Sequence, residues 1–225
     1  MKVSIVVTCY NRERFIGRAI RSAIAQRFPK DEFEVVVVDD GSGDNSPRII
    51  GDFGDLVVPI LLPANQGLPS ARNAGARHAR GRYVVFLDSD DYVHEDFIYV
   101  EHLHMAMNPE WGAVACDYFE VDDLERHTKR CDAGRNPIAC GIMFRLDSLV
   151  EIGLYDASML LMEDREIRAR FEQRFHVGHV RLPLYRYTRH SGNLTNDRKA
   201  VRQYRRKLAA KVAAGGLEHG GKVGV

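Results

Sequence analysis

The strongest constraint on the fold is an alternation repeated through the first half of the chain: a short apolar run, a segment of helical period, then another apolar run. Val3 to Val7 reads as a buried strand. From about Glu13 to Gln26, the residues Phe15, Ile16, Ala19, Ile20, Ala23 and Ile24 fall on one face of a helix. Phe33 to Val38 is a second strand, and Ser46-Pro47 then caps and opens a short helix. Val57 to Leu62 is a third strand, and the helix after it begins near Pro69 and stops at Gly81. Tyr83 to Leu87 is a fourth strand without a polar break, as strands covered on both faces usually are. This order predicts an α/β fold with a single mainly parallel sheet flanked by helices and joined by right-handed crossovers.

The second half is less regular. Ala113 to Cys116, Cys140 to Phe144 and Val177 to Leu182 read as short strands. Glu163 to Arg174 reads as a helix with Ile167 and Phe171 turned inward, and the polar stretch from Asp122 to Asn136 as a loop or hairpin. From Asp197 the chain turns basic and ends in a glycine-rich segment; there is no internal repeat.

With 225 residues the chain can bury a substantial core without disulfides. Cys9, Cys116, Cys131 and Cys140 are scattered, with no Cys-x-x-Cys pair or zinc-type spacing, and read as reduced residues of a cytosolic protein. A formal net charge of +1 gives no reason to expect a nucleic-acid partner. The first apolar run is too short for a signal-peptide core, and no run approaches the roughly 20 residues that cross a bilayer. The expected location is the cytoplasm.

In parallel α/β sheets, ligands bind beyond the carboxyl ends of the strands. The polar clusters sit at those ends: Thr8-Cys9-Tyr10-Asn11, Asp39-Asp40-Gly41-Ser42 and Asp88-Ser89-Asp90-Asp91. Three carboxylates in four positions repel one another unless a cation or hydrogen bonds compensate. Oxygen ligands suit Mg2+ or Mn2+, which bridge a few carboxylates to substrate phosphates. Against this stands a plain helix cap with acids in its first turn. Asp39 to Ser42 taken alone is equally a turn.

Together these segments, with Asn65-Gln66-Gly67 and Ser70-Ala71-Arg72-Asn73-Ala74-Gly75, resemble the family 2 glycosyltransferases, in the family's order and spacing. The resemblance implies the A-type nucleotide-sugar-binding fold, Rossmann-like, and a metal-dependent inverting transfer of one sugar from a nucleotide-diphosphate sugar to an acceptor hydroxyl. The pathway would be polysaccharide, lipopolysaccharide or glycoconjugate synthesis. It assigns Thr8, Tyr10 and Asp40 to the nucleobase, with Asp40 reading a base N–H, which favours a UDP- or dTDP-sugar, and counts Asp39 among the nucleotide-sugar-binding residues. Arg72 falls near the nucleotide or its phosphates. Asp88, Ser89 and Asp90 bind the nucleotide sugar, with Asp90 the direct metal ligand and Asp88 shared between ribose and metal. Gly67 and Gly75 serve backbone geometry.

In the second half, Gly153-Leu154-Tyr155-Asp156 and Met162-Glu163-Asp164 resemble the acceptor-side segment, which makes Asp164 the catalytic base. In Tyr187 to Thr195, His190 would complete the metal site. The expected organisation is a transferase domain over 1–196, with a nucleotide-sugar-binding half at 1–110 and an acceptor-binding half at 111–196. A basic helix and tail follow at 197–225. Gln203-Tyr204-Arg205-Arg206-Lys207 lacks the tryptophan of processive synthases, so a single transfer is expected, to a saccharide or lipid-linked saccharide.

Two rival readings remain: a nucleotidyltransferase that makes nucleotide sugars, disfavoured by the lack of glycine in Thr8 to Arg12, and a non-catalytic nucleotide-sugar-binding protein. The basic tail is either a solvated helix or a surface that touches the anionic inner face of the cell membrane.

Overall fold

The computed structural model describes residues 1–122 and 124–213. The chain runs β1 (Val3–Cys9), α1 (Ile16–Ile24), β2 (Phe33–Asp39), α2 (Ser46–Gly51), β3 (Val58–Leu61), α3 (Leu68–His78), β4 (Tyr83–Asp88) and β5 (Tyr92–Val93). It continues through α4 (Phe97–Met107), β6 (Trp111–Val121), β7 (His127–Cys131), β8 (Ile142–Arg145), α5 (Leu146–Glu151), α6 (Glu163–Glu172), β9 (His176–Thr188) and α7 (Arg198–Lys211).

Among the described residues, nine strands form one sheet in the order β3-β2-β1-β4-β8-β6-β9-β5, with β7 paired to β6. β1 runs parallel to β2 and β4, and β2 parallel to β3. Beyond β4 the sheet becomes mixed: β8 is antiparallel to β4 and β6, while β6 and β9 are parallel. Antiparallel pairing enters where the strand–helix alternation stops.

Helices α1 and α3 pack against β1 and β2, which leaves Val3, Ile5, Val6 and Val7 fully buried. Each such side chain stabilises the fold by roughly 1.5–3 kcal/mol. The polar residues in these strands are matched. Ser4 Oγ donates to Glu34 at 2.6 Å and accepts the Gly81 N–H at 2.9 Å, and Arg80 closes on the same carboxylate. Gly75 lets α3 sit close to the sheet, since a Cβ there would lie 2.2 Å from Val6 Cγ1.

Two strands run well beyond the expected segments. β6 and β9 pair with each other along most of their length, with register shifts around Cys116 and Asp117. The bulged pairing accommodates Asp117 and Pro183, whose presence hides the strands from a reading based on apolar period. Helix α4 was not anticipated. It is apolar nearly all round, with Phe97, Ile98 and Met105 buried, so it lacks the one-sided stripe that periodicity detects. The stretch from Asp122 to Asn136 is a hairpin, with β7 folding back on β6.

On α4, Glu101 is completely buried and neither carboxylate oxygen has a hydrogen-bond partner. Burial pushes its carboxyl well above the usual range, with the nearby Cys116 thiol pulling the other way. The folded state therefore keeps a proton that the unfolded chain loses above about pH 4.3. Stability falls as pH rises through this window, by about 1.4 kcal/mol per unit at most. Glu101→Gln should flatten that slope and equal or exceed the parent at pH 8 in urea denaturation. Parallel pH slopes would rule out a protonated Glu101.

Helix α7 is capped by Asp197, whose carboxylate accepts the N–H groups of Lys199 and Ala200 at 2.9 and 3.0 Å. Lys207 donates to the Ser158 carbonyl, and Lys211 bonds Glu166 at 3.1 Å and also Asp156. These contacts dock α7 beside the start of α6. The expected glycine-rich end, from residue 214 on, lies outside the described residues.

Candidate active site

The strand order makes the three polar clusters neighbours. β2, β1 and β4 lie side by side and parallel, so Asp40, Thr8 and Asp88 emerge at one sheet edge. A cavity of about 700 Å³ opens there, lined by Thr8, Tyr10, Asp40, Arg72, Asp88, Ser89 and Asp90. Its opposite wall comes from the second half of the chain and includes Glu163 and Asp164. Asp39 and His190 do not line it.

Arg72 joins the two walls. It is 1% exposed, and its Nη2 donates to Asp88 at 2.8 Å while Nη1 donates to Glu163 at 2.9 Å. The neighbouring Asn73 amide bonds the Tyr155 backbone twice, at 2.8 and 2.9 Å, which fixes the segment leading into α6. That segment ends at Met162, in the left-handed region at φ 64, and places Glu163 and Asp164 in the first turn of α6. A helix N-terminus favours anions there.

Glu163 and Asp164 are adjacent carboxyls in the first turn of α6. Burial pushes the Glu163 carboxyl up to about 7, opposed by Arg72 and assisted by the Asp164 charge. Burial also raises Asp164, held back by the Arg165 N–H at 2.8 Å and the guanidinium groups of Arg165 and Arg72. Glu163 is locked to Arg72. Asp164 is half-buried on the wall and spends one oxygen on its own helix turn.

The acids after β4 divide into different tasks. No helix starts at Asp88, because the chain turns straight into β5, so the helix-cap alternative falls away. Asp91 is buried and accepts the Thr188 N–H and the Tyr185 hydroxyl, each at 2.7 Å, tying the turn to β9. Asp90 Oδ2 receives His190 Nε2 at 2.9 Å and Arg12 Nε at 3.3 Å. Oδ1 of Asp90 and Oδ2 of Asp88 accept no hydrogen bond from the described residues, so each offers one free oxygen. Two free carboxylate oxygens on a cavity wall fit a hard divalent cation.

His190 stands against Asp90 and is held there from its other side. Its ring stacks on Phe15 at 4.9 Å, and its Nδ1 accepts the Gly192 N–H at 3.1 Å. The ring proton then belongs on Nε2, where it is donated to Asp90, whereas a ligating imidazole donates through its other nitrogen. Among the described residues, the acid or histidine group compact enough to share an ion is Asp117, Asp132 and His179, within 4.8 Å of one another. There Asp117 is already occupied by His179, Arg130 and the Ala133 N–H.

Just after β2, Asp40 accepts the N–H groups of Gln66 and Gly67, each at 2.8 Å, and so shapes the loop that borders the cavity. Gly67 sits at φ +88, and a Cβ there would fall 2.6 Å from the Leu160 side chain. Asp39 holds the Ser42 N–H at 2.9 Å, while its other oxygen is buried without a partner. Burial raises the Asp40 carboxyl, against those two N–H groups.

Sequence reasoning missed Arg12, Asn73 and the Arg72–Glu163 contact. Arg12 also bonds the Gly192 carbonyl at 3.1 Å and so ties the loop after β9 to Asp90. No local spacing marks such partners. An Arg-Asn pair opening a helix beneath two acid clusters was the one available signal.

The glycosyl transferase family 2 model matches residues 4–131, more than half of the chain. The chain belongs to glycosyl transferase family 2. It is similar to the poly(ribitol-phosphate) beta-N-acetylglucosaminyltransferase TarS of Staphylococcus aureus strain Mu50, 40% identical over 99 residues, 43% of this chain and 17% of that one. Glycosyltransferase GlyA of Streptococcus pneumoniae serotype 4 is 39% identical over 127 residues, 55% of this chain and 18% of that one. The chain thus spans less than a fifth of either relative's length. Its fold is that of S. aureus TarS 1-349 in complex with UDP-GlcNAc, with a TM-score of 0.80 at 21% identity over 98% of this chain and 68% of that chain. It is also that of the mannosyltransferase PcManGT from Pyrobaculum calidifontis in complex with GDP-Man and Mn2+, with a TM-score of 0.77 at 20% identity over 98% of this chain and 65% of that one.

Proposed function

We propose that this family 2 chain is an inverting glycosyltransferase that moves one sugar from a nucleotide-diphosphate sugar to an acceptor hydroxyl. The observation that carries the reading is a single cavity whose walls bring Thr8, Tyr10, Asp40, Asp88 and Asp90 opposite Asp164. Residues 1–110 hold the donor, 111–196 the acceptor, and α7 borders the acceptor side.

Thr8, Tyr10 and the Asp40 loop receive the nucleobase, with a UDP- or dTDP-sugar favoured. Asp39 acts from behind, through the turn it holds. Arg72, tied between Asp88 and Glu163, positions both walls, and Ser89 packs beside the diphosphate. Asp164 accepts the proton of the acceptor hydroxyl as that oxygen bonds to the anomeric carbon. The bond from that carbon to the diphosphate oxygen breaks on the opposite face, and its electron pair leaves with the nucleoside diphosphate. One displacement inverts the configuration and needs no covalent enzyme intermediate. Asp90 and Asp88 would hold Mg2+ or Mn2+, which supplies charge neutralisation for the leaving diphosphate. His190 keeps Asp90 oriented. Solved relatives in complex with UDP-GlcNAc, and with GDP-Man and Mn2+, support the donor class and the metal.

The test is thermal stabilisation by a panel of nucleotide sugars, with and without Mn2+. A ligand at 100 times its Kd adds about 2.7 kcal/mol. Asp90→Ala should remove the difference that Mn2+ makes, and calorimetry showing it intact would sink the metal assignment. Slow donor hydrolysis with Mn2+ separates a transferase from a pure binder.

No described helix is long and apolar enough to cross a membrane. We place the protein in the cytoplasm, with the exposed cations of α7 (Arg198, Lys199, Arg202 and Arg206) touching the inner face of the cell membrane. This predicts sedimentation with phosphatidylglycerol vesicles at low salt and release at high salt, because attraction between exposed charges is screened. No sedimentation at low salt would retire the membrane contact.

A further inference from the structure

Positive charge is unbalanced on the acceptor side of the cavity. The acids there are Glu120, Glu163 and Asp164, and the cations are Lys129, Arg165, Arg189 and Arg205. Arg189 is matched to Glu120 at 2.8 Å, and Glu163 to Arg72 at 2.9 Å. Lys129, Arg165 and Arg205 make no ion pair with any described carboxylate, which leaves three cations and Asp164 as the only unmatched acid. They come from three separate elements: β7, the first turn of α6, and α7.

The three cations lie away from the strand ends where the diphosphate would lie, which carry their own arginines: Arg12 beside Asp90, and Arg72 bridging Asp88 to Glu163. An acceptor without charge would cover the three cations and strip their water while offering no counter-charge, which is costly. A phosphate would match them: guanidinium groups bind its oxygens in pairs, and an ammonium serves as a point charge.

We propose that the acceptor carries a phosphate, as monoester or diester, close to the hydroxyl that receives the sugar, and that Lys129, Arg165 and Arg205 bind it. This rests on the transferase reading above and adds the acceptor class. Charge on the acceptor also draws it toward Asp164 before reaction, since a cation-lined cleft concentrates anions.

The test is calorimetry on the full chain with UDP and Mn2+ present, titrated with a short glycerol-phosphate oligomer and, in parallel, with glycerol. The expected result is binding of the oligomer alone, weakened about tenfold by Lys129→Gln or Arg205→Gln, the scale of one lost charge-assisted hydrogen bond. Arg202→Gln, exposed on α7 and absent from the cavity lining, should leave the affinity unchanged. No binding by the parent chain, or equal weakening by Arg202→Gln, would overturn the proposal, the latter by reducing it to bulk attraction. Phosphatidylglycerol vesicles separate a lipid headgroup from an acceptor phosphate. If vesicle retention were lost in Lys129→Gln while the oligomer bound normally, the assignment would fall. UDP binding in the same samples is the control: its presence without oligomer binding removes only the acceptor inference, and its absence removes the donor reading.

Discussion

Asp164→Asn is expected to lower sugar transfer by about 10²- to 10⁴-fold while donor binding stays within a factor of two or so, the scale of a lost general base. Asparagine is close to isosteric and can still accept the Arg165 N–H that Asp164 holds at 2.8 Å, so the first turn of α6 keeps its shape. What goes is the ability to take a proton. The substitution also removes the charge that helps raise the neighbouring Glu163, so the Glu163 carboxyl should drop below its present value of about 7. Single-turnover transfer, donor affinity and a carboxyl titration by NMR read the three effects separately. Undiminished transfer would take Asp164 out of the mechanism. A fall in transfer with Glu163 unmoved would mean that the two acids are not coupled.

The second large effect belongs to Arg72. Arg72→Met leaves Asp88 and Glu163 without their counter-charge, and breaking a buried ion pair by removing one partner costs about 3–5 kcal/mol. Asp88 is about a quarter exposed and recovers part of its loss from water, so most of the cost falls on the more buried Glu163. Glu163 can escape by taking up a proton. Arg72 is what holds its carboxyl down, so the variant raises it further above 7, and the folded state keeps a proton that the unfolded state has lost. The destabilisation should therefore be smaller at pH 5.5 and grow toward pH 8. Urea unfolding at the two values measures this, and a penalty independent of pH would assign the loss to packing. Transfer should fall as well, because Arg72 sets the distance between the Asp88 wall and the Asp164 wall.

Much of the strand-end wall of the cavity, read above as the donor side, was legible in the sequence. Apolar runs mark β1, β2 and β4, and each is followed at once by a polar cluster. The acceptor side was harder. β6 and β9 carry Asp117 and Pro183, whose tolerance depends on bulged pairing between strands far apart in the chain. Helix α4 carries apolar residues nearly all round, exposed Tyr99, Leu103 and Met107 included, so its period is silent. Nothing local to Asp91 shows that Thr188 and Tyr185 wait across the sheet. The contacts that hold His190, Asp90 on its Nε2 and the Gly192 N–H on its Nδ1, were equally silent in the sequence.

The sequence by itself determined where the site lies. Parallel strands joined by crossover helices must present their carboxyl ends at one edge, so Thr8, Asp40 and Asp88 had to converge once the strands were recognised. Tertiary structure alone decided which groups neutralise which. Arg72 meets Glu163 across 91 positions, and His190 meets Asp90 across 100. Local period and propensity describe the turn or ladder a residue belongs to. An ion pair depends on distance in space, and that is set only when β9 joins the sheet between β6 and β5 and α6 packs against it.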